Sequence, residues 1–399
     1  MKTVLPFSLP VESDNKHVHY TLGPDATPED YLRYVTVEEL GIFENIEKRG
    51  VLHWEYFHMF SGFGEQNFPD VFVGFMTTNP ILPNGISPRA IISITMPNGE
   101  RSQEIVYGNP KNFSTKKGLN IFIGDNCYIK TINQEGEYEE GNPIDLEIFI
   151  KGKKLELKVE SIGKIRPAKG GTGGTTYGDN GVKLNWIQKQ TSSVVNGVLK
   201  IDGEEIPISN AIGHADSGSA KSREALMQEN NWDWSVLEFG PFNIVESTAT
   251  ANRRNGNERR KRIILAYNNQ IIAEDPRLYH PSKDYEEPMS GRTDNYYSRT
   301  LCGRYFYGEK DVFEWEAREE LPLLVQADFT SLLSNNSVIN GVARFLNNTG
   351  IFYSGRYDRF LVKGVLRHFQ KGEGGWRLVQ AYEGGGIRER FLPKQQFLK

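Results

Sequence analysis

From about residue 50 to residue 383 the chain is built of short runs of apolar residues, many alternating with polar ones, separated by turn residues. Leu155, Leu157 and Val159 point one way while Lys154, Glu156 and Lys158 point the other, the period of a strand with one face on a core. Ile144 to Ile150 precedes it, and Lys151-Gly152-Lys153 makes the turn. Val71 to Thr78 (VFVGFMTT) reads as a buried strand. Ala90 to Met96 alternates and runs into Pro97-Asn98-Gly99, where Asn-Gly signals a hairpin. Further hairpins are predicted around Gly124-Asp125-Asn126, Asp202-Gly203 and Asn268-Asn269, and Asn231 to Thr250 reads as an alternating strand punctuated by Gly240-Pro241. Val182 to Gln190 is a strand carrying Trp186, and strands continue over 302–318, 321–329, 350–370 and 376–383.

Helix signals are few. Thr27 as N-cap with Pro28 in the first turn predicts one or two short helices over Tyr31 to Lys48, and Ser222 caps another over Ser222 to Glu229. Many short strands at regular spacing with few helices predict an all-β chain of barrels or sandwiches. The least strand-like segment spans 209 to 230, so the boundary is placed there. The reading is an arm at 1–27, a first β-barrel domain at 28–222 and a second at 223–399. Closing a sheet removes its edges and leaves an interior that can hold a small ligand.

The densest stretch is Leu52 to Phe63, LHWEYFHMFSGF. On a strand Trp54, Tyr56 and His58 share one face, and His53, Glu55 and Phe57 the other. A solvated face does not normally carry such rings, so one face is expected on a core and the other on an enclosed space.

Composition narrows the function. The 399 residues carry a net charge of -4 and 25% charged residues, without the basic footprint of a nucleic-acid binder. No 18-residue apolar stretch predicts a membrane span. Cys127 and Cys302 are far apart and outside any CxxC, which predicts two free thiols and a cytoplasmic protein. The glycine-rich run 166–181 lacks the Gly-Lys-Ser/Thr ending of a phosphate loop and reads as a lip or crossing loop. The basic run Arg253 to Arg262 reads as a solvated hairpin turn. No HExxH, Cys/His quartet, G-x-S-x-G or dinucleotide fingerprint occurs, so no metal and no cofactor is expected. What remains is a set of hydrogen-bonding and proton-transfer groups among aromatics: Glu55, Tyr56, His58, His214, Asp216, Trp232 and Trp234. A carboxyl group in such surroundings can act as an acid, and a neutral donor can polarise a carbonyl.

These residues carry a resemblance. Trp54-Glu55-Tyr56-Phe57, then Gly213-His214-Ala215-Asp216, then Trp232-Asp233-Trp234 resemble, in that order, the two-domain lipocalin-like (calycin) family of carotenoid 1,2-hydratase, AttH-like proteins and fungal decalin-forming Diels–Alderases. The strands at Val236 to Glu246 and Ile263 to Ala273, and the segments 350–364 and 374–384, resemble its second barrel. The family's Asp-His-x-Trp-Gly block departs here, with His214 preceding Asp216. The resemblance implies two lipocalin-like antiparallel barrels and a cofactor-free pocket, in the first barrel or between the two, for a lipophilic biosynthetic intermediate. It implies a cyclase of natural-product biosynthesis, of the [4+2] pericyclic type. Glu55, His58, His214 and Asp216 would orient or polarise the substrate, and Trp54, Tyr56, Phe57, Trp186, Trp232 and Trp234 would form walls. A hydratase or isomerase acting on an isoprenoid alkene, and a non-catalytic lipid or pigment carrier, are the alternatives.

Overall fold

The computed structural model describes residues 18–20, 52–60, 69–78, 86–108, 113–116, 120–131, 144–165, 175–177, 182–220, 229–251, 259–268, 270–274, 300–307, 310–326 and 355–393. All regular structure among them is β, and no described helix is long and apolar enough to cross a membrane. The helix expected over Tyr31 to Lys48 lies outside the described residues. So does that over Ser222 to Glu229, except that Glu229 opens a strand. The expected arm and the glycine-rich run also lie outside, apart from the short strands Val18–Tyr20 (β1) and Thr175–Tyr177 (β11).

Two compact units divide at Met227/Gln228. The first contains β2 (Leu52–Phe60), β3 (Asp70–Thr78), β4 (Ile86–Thr95), β5 (Arg101–Tyr107), β6 (Phe113–Lys116), β7 (Asn120–Ile123), β8 (Cys127–Thr131), β9 (Ile144–Lys151), β10 (Leu155–Ile165), β12 (Val182–Ile201) and β13 (Glu204–Ala220). They run in the order β5-β4-β3-β2-β13-β12-β10-β9-β8-β7-β6, with β11 on β12 and β1 on β11. The hairpin turns fall where the sequence predicts them. At the β12–β13 turn Asp202 and Gly203 have φ of 50° and 90°, the pair of positive angles that a tight twisted hairpin needs.

The second unit contains β14 (Glu229–Phe239), β15 (Phe242–Ala251), β16 (Arg259–Tyr267), β17 (Gln270–Glu274), β18 (Thr300–Tyr307), β19 (Asp311–Gln326), β20 (Gly355–Gly372) and β21 (Gly375–Pro393), in the order β17-β16-β15-β14-β21-β20-β19-β18. The first sheet curls into a nearly closed barrel and the second into a half-barrel. The basic segment is partly strand, since β16 begins at Arg259.

One expectation is overturned. The segment from 209 to 220, read as least strand-like, is the second half of β13 and pairs with β2 over Leu52–Phe60. Its small residues suit it to that place. A Cβ at Gly213 would come 2.4 Å from Val195 Cγ2 and 2.5 Å from Ser193 Oγ, and Phe57 lies next to it at 3.6 Å. Low strand propensity is outweighed here by the fit beneath large side chains.

The cores follow from alternation. Phe57, Met59, Val71, Val73, Phe75, Ile92, Ile94, Ile121, Ile148, Leu157 and Leu199 fill the first barrel. Leu237, Phe239, Ile244, Leu265, Phe313, Trp315, Phe360 and Val362 fill the second unit. Cys127 and Cys302 are buried thiols outside any disulfide, as the spacing suggests; burial raises the Cys127 thiol to about 11.

A carboxylate helps to close the first barrel. Glu104, on edge strand β5, accepts the backbone N–H groups of Lys153, Lys154 and Leu155 in the β9–β10 turn, the last two at 3.0 Å. The seat needs Gly152, because a Cβ there would lie 2.4 Å from the carboxylate. Burial acts to raise the Glu104 carboxyl, but the three N–H donors outweigh it and hold the group below 4.5. Its folded value is therefore below its unfolded one. The stability it adds is present above the ordinary carboxylate range and is lost as pH falls through the folded value. Glu104→Ala is expected to lower the urea midpoint at neutral pH by the equivalent of about 1 kcal/mol, a charged hydrogen-bond contribution reduced by solvent. The gap from the unsubstituted protein should close toward acid pH; a constant gap would show that the carboxylate is not the latch.

Candidate functional site

Antiparallel pairing of β2 with β13 sets Tyr56 opposite Asp216, His58 opposite His214 and Trp54 opposite Gly218. On the other side of β2, Tyr56 faces Gly74, His58 faces Phe72 and Trp54 faces Met76, and β4 adds Arg89 opposite Met76 and Ser93 opposite Phe72. Paired residues project to the same side of a sheet. Trp54, Tyr56, His58, His214, Asp216, Phe72, Asp70 and Arg89 therefore share the face that points away from the hydrophobic core.

That face is nevertheless buried. His58, His214 and Arg89 are each 0% exposed, Asp216 5% and Tyr56 9%. Burial pushes the Arg89 guanidinium down to about 10, against the opposing effect of Tyr107. The Tyr56 ring lies 5.1 Å from Phe72 and 6.1 Å from His214, edge-on to the latter, while His58 stacks on Phe60 at 5.4 Å. His58 Nε2 is 2.6 Å from Asp70 Oδ2, and His214 Nε2 is 3.9 Å from Asp216 Oδ2. Rings supply shape, while two imidazoles, two carboxylates and a guanidinium supply polarity.

Of the residues singled out from sequence, the fold brings together Trp54, Tyr56, His58, His214 and Asp216. Glu55 and Phe57 are buried but lie on the opposite, core-facing side of β2. Trp186 sits at the register position opposite Gly218. Trp232 and Trp234 belong to β14 of the second unit, where Trp234 is buried on the side opposite Leu237. Asp70, Phe72 and Arg89 escaped the sequence reading. Each lies outside the aromatic motif, and only strand register carries it to the face.

The second unit has a polar interior that sequence reasoning also missed. Glu246 on β15 accepts the indole N–H of Trp315, and its other oxygen is 3.5 Å from Ser235 Oγ. Asp233 pairs with Arg388, which also donates to Glu319 at 3.1 Å. Arg390 lies 3.0 Å from Glu319 and over the Phe360 ring at 4.6 Å. On the other face Arg359 pairs with Glu389 at 2.8 Å and Arg304 with Glu314 at 2.6 Å. Among the described residues no group of three or more His, Cys, Asp or Glu side chains is arranged to hold a metal.

Burial is the main cause that raises the Glu246 carboxyl from 4.5 to about 7, with Asp233 adding and Trp315, Arg388 and Ser235 opposing. A raised folded value means that the stability linked to this group is full below its unfolded value and is lost as pH rises through about 7. Trp315 fluorescence is expected to titrate near that pH. Glu246→Gln should abolish the titration and recover stability on the order of 3 kcal/mol above it. A flat Trp315 signal in the unsubstituted protein would rule this out.

No family model matches the sequence, and no characterised protein matches it by sequence. Solved structures do match. CghA with Sch210972 superposes at a TM-score of 0.51 and 10% identity, over 86% of this chain and 89% of that one. An AttH candidate from Nitrosomonas europaea gives 0.49 at 14% identity, over 86% and 92%. Kievitone hydratase from Nectria haematococca gives 0.47 at 15%, over 96% and 98%. This chain has the fold of CghA, which is the two-barrel, all-β architecture that the resemblance implies.

Proposed function

We propose that the chain is an enzyme that folds a lipophilic polyene against the buried face of β2, β3 and β13 and cyclises it, in a [4+2] pericyclic step that needs no cofactor. The observation that carries this reading is that face itself. The Trp54, Tyr56 and Phe72 rings stand beside His58, His214, Asp216 and Arg89, with the strands' other faces on a separate hydrophobic core. Binding sites for small molecules are largely apolar with a few convergent polar groups. A pericyclic step depends chiefly on holding the reacting ends in one conformer, which can lower the barrier by roughly 7–11 kcal/mol. A hydrogen bond to an activating carbonyl adds about 3 kcal/mol.

In this reading Trp54, Tyr56 and Phe72 shape the chain of the substrate, and an N–H of His214 or Arg89 polarises its carbonyl. Phe57 and Glu55, on the core side of β2, support the wall from behind. Trp186 and Trp234 are further wall candidates. The substrate is a lipophilic small molecule.

One observation favours a second reading. His58 and His214 face each other across two strands, each near a carboxylate. Such a pair can deliver and remove a proton, as hydration or isomerisation of an alkene requires.

Incubation of the full chain with synthetic linear polyenes that carry a carbonyl-activated dienophile separates the readings. Cyclisation yields a product of unchanged mass without solvent deuterium. Hydration adds one water, isomerisation leaves the mass unchanged in ordinary water but adds deuterium in heavy water, and release of unaltered ligand marks a carrier. Alanine at His58, His214 or Asp216 is expected to slow cyclisation about 10- to 1,000-fold. Glu55→Ala is expected to act through stability. Unchanged rate and stereochemistry in all three of the first set would remove the site.

A further inference from the structure

His58 and His214 are opposite one another on paired strands, yet their surroundings differ. His58 Nε2 is 2.6 Å from Asp70 Oδ2, with side-chain exposures of 0% and 10%. His214 Nε2 is 3.9 Å from Asp216 Oδ2, beyond hydrogen-bond reach. The His58 ring plane is set by stacking on Phe60, 19° from parallel at 5.4 Å, and Tyr56 flanks it at 6.5 Å.

We propose that Asp70 is a positioning residue that holds His58 as the Nε2–H tautomer and so fixes which imidazole nitrogen carries the proton on the buried face. An ionised carboxylate only accepts, so the ring nitrogen facing it must carry the proton. In a neutral imidazole the other nitrogen then carries none. Asp70 opens β3, 12 residues beyond His58 and on the adjacent strand, so pairing of β2 with β3 is what delivers it. The same logic fixes histidine tautomers in other sites, where a carboxylate holds one ring nitrogen and the other meets the reacting group. The inference deepens the proposed function by assigning a positioning residue to one of its polar groups, and it rests on that reading for the site alone.

The test is nitrogen and proton magnetic resonance of the full chain with 15N-labelled histidine, at neutral pH and without substrate. The His58 signals are identified by their loss in His58→Gln. The expected result is a protonated Nε2, an unprotonated Nδ1 and a slowly exchanging Nε2 proton shifted far downfield by the carboxylate. Asp70→Asn should move that proton signal upfield or lose it, and Asp70→Glu should restore it. Protonation of both nitrogens, protonation of Nδ1 alone, or an unchanged proton signal in Asp70→Asn would overturn the proposal. Should Asp70→Asn fail to fold, the spectrum of the unsubstituted protein decides the tautomer. Because no substrate is present, failure of the cyclisation assay would leave this result standing, and the reverse also holds.

Discussion

Residue 58 faces residue 214 because β2 and β13 pair antiparallel in one register, from Leu52 opposite Ala220 to Phe60 opposite Ile212. Side chains alternate with a period of two, so a slip of one residue would turn every side chain to the other face. Phe57 and Met59 would leave the core, and His58 and Tyr56 would enter it. Burial of the apolar set thus locks the register, and the register assembles the polar set. The hydrophobic effect works here without direction of its own, but through the pleat it fixes where the imidazoles and carboxylates meet.

Small residues make that pairing possible. Gly213 lies beside the ring of Phe57 and Ala215 opposite Phe57 in the register, and a larger side chain at Gly213 would strike Ser193 and Val195. Gly74 opposite Tyr56 does the same on β3: a Cβ there would meet the Phe72 ring at 3.1 Å. Small partners thus accommodate large rings on both sides of the sheet, Gly213 on the core side and Gly74 on the side that carries the polar groups.

Both units bury charge beyond what their cores need. Arg89 in the first, and Arg304, Arg359, Arg388 and Arg390 in the second, are each no more than 5% exposed. Taking such groups out of water costs several kcal/mol each, and pairing repays the cost only when the geometry is good. Ion pairs such as Arg359 with Glu389 and the Asp233–Arg388–Glu319–Arg390 chain are therefore weak sources of net stability. What they do supply is directionality, since each partner has few ways to be satisfied. At Glu246 burial tips this balance toward the protonated, uncharged form.

The residues alone determined the alternation, the hairpin turns at Asn98-Gly99, Asp202-Gly203 and Asn268-Asn269, and so the all-β architecture, because period and turn chemistry are local properties. They also marked Trp54, Tyr56 and His58 as sharing one side of a strand. The place of IGHADSG was not legible, since glycine, alanine and serine score as loop and only their fit beneath β2 makes them strand. Nor were Asp70, Phe72 and Arg89, whose partners lie on other strands, or Glu246 and Trp315, which are 69 residues apart. Which histidine lies against which carboxylate was decided by tertiary structure, because strand order and register bring together residues that no local pattern relates.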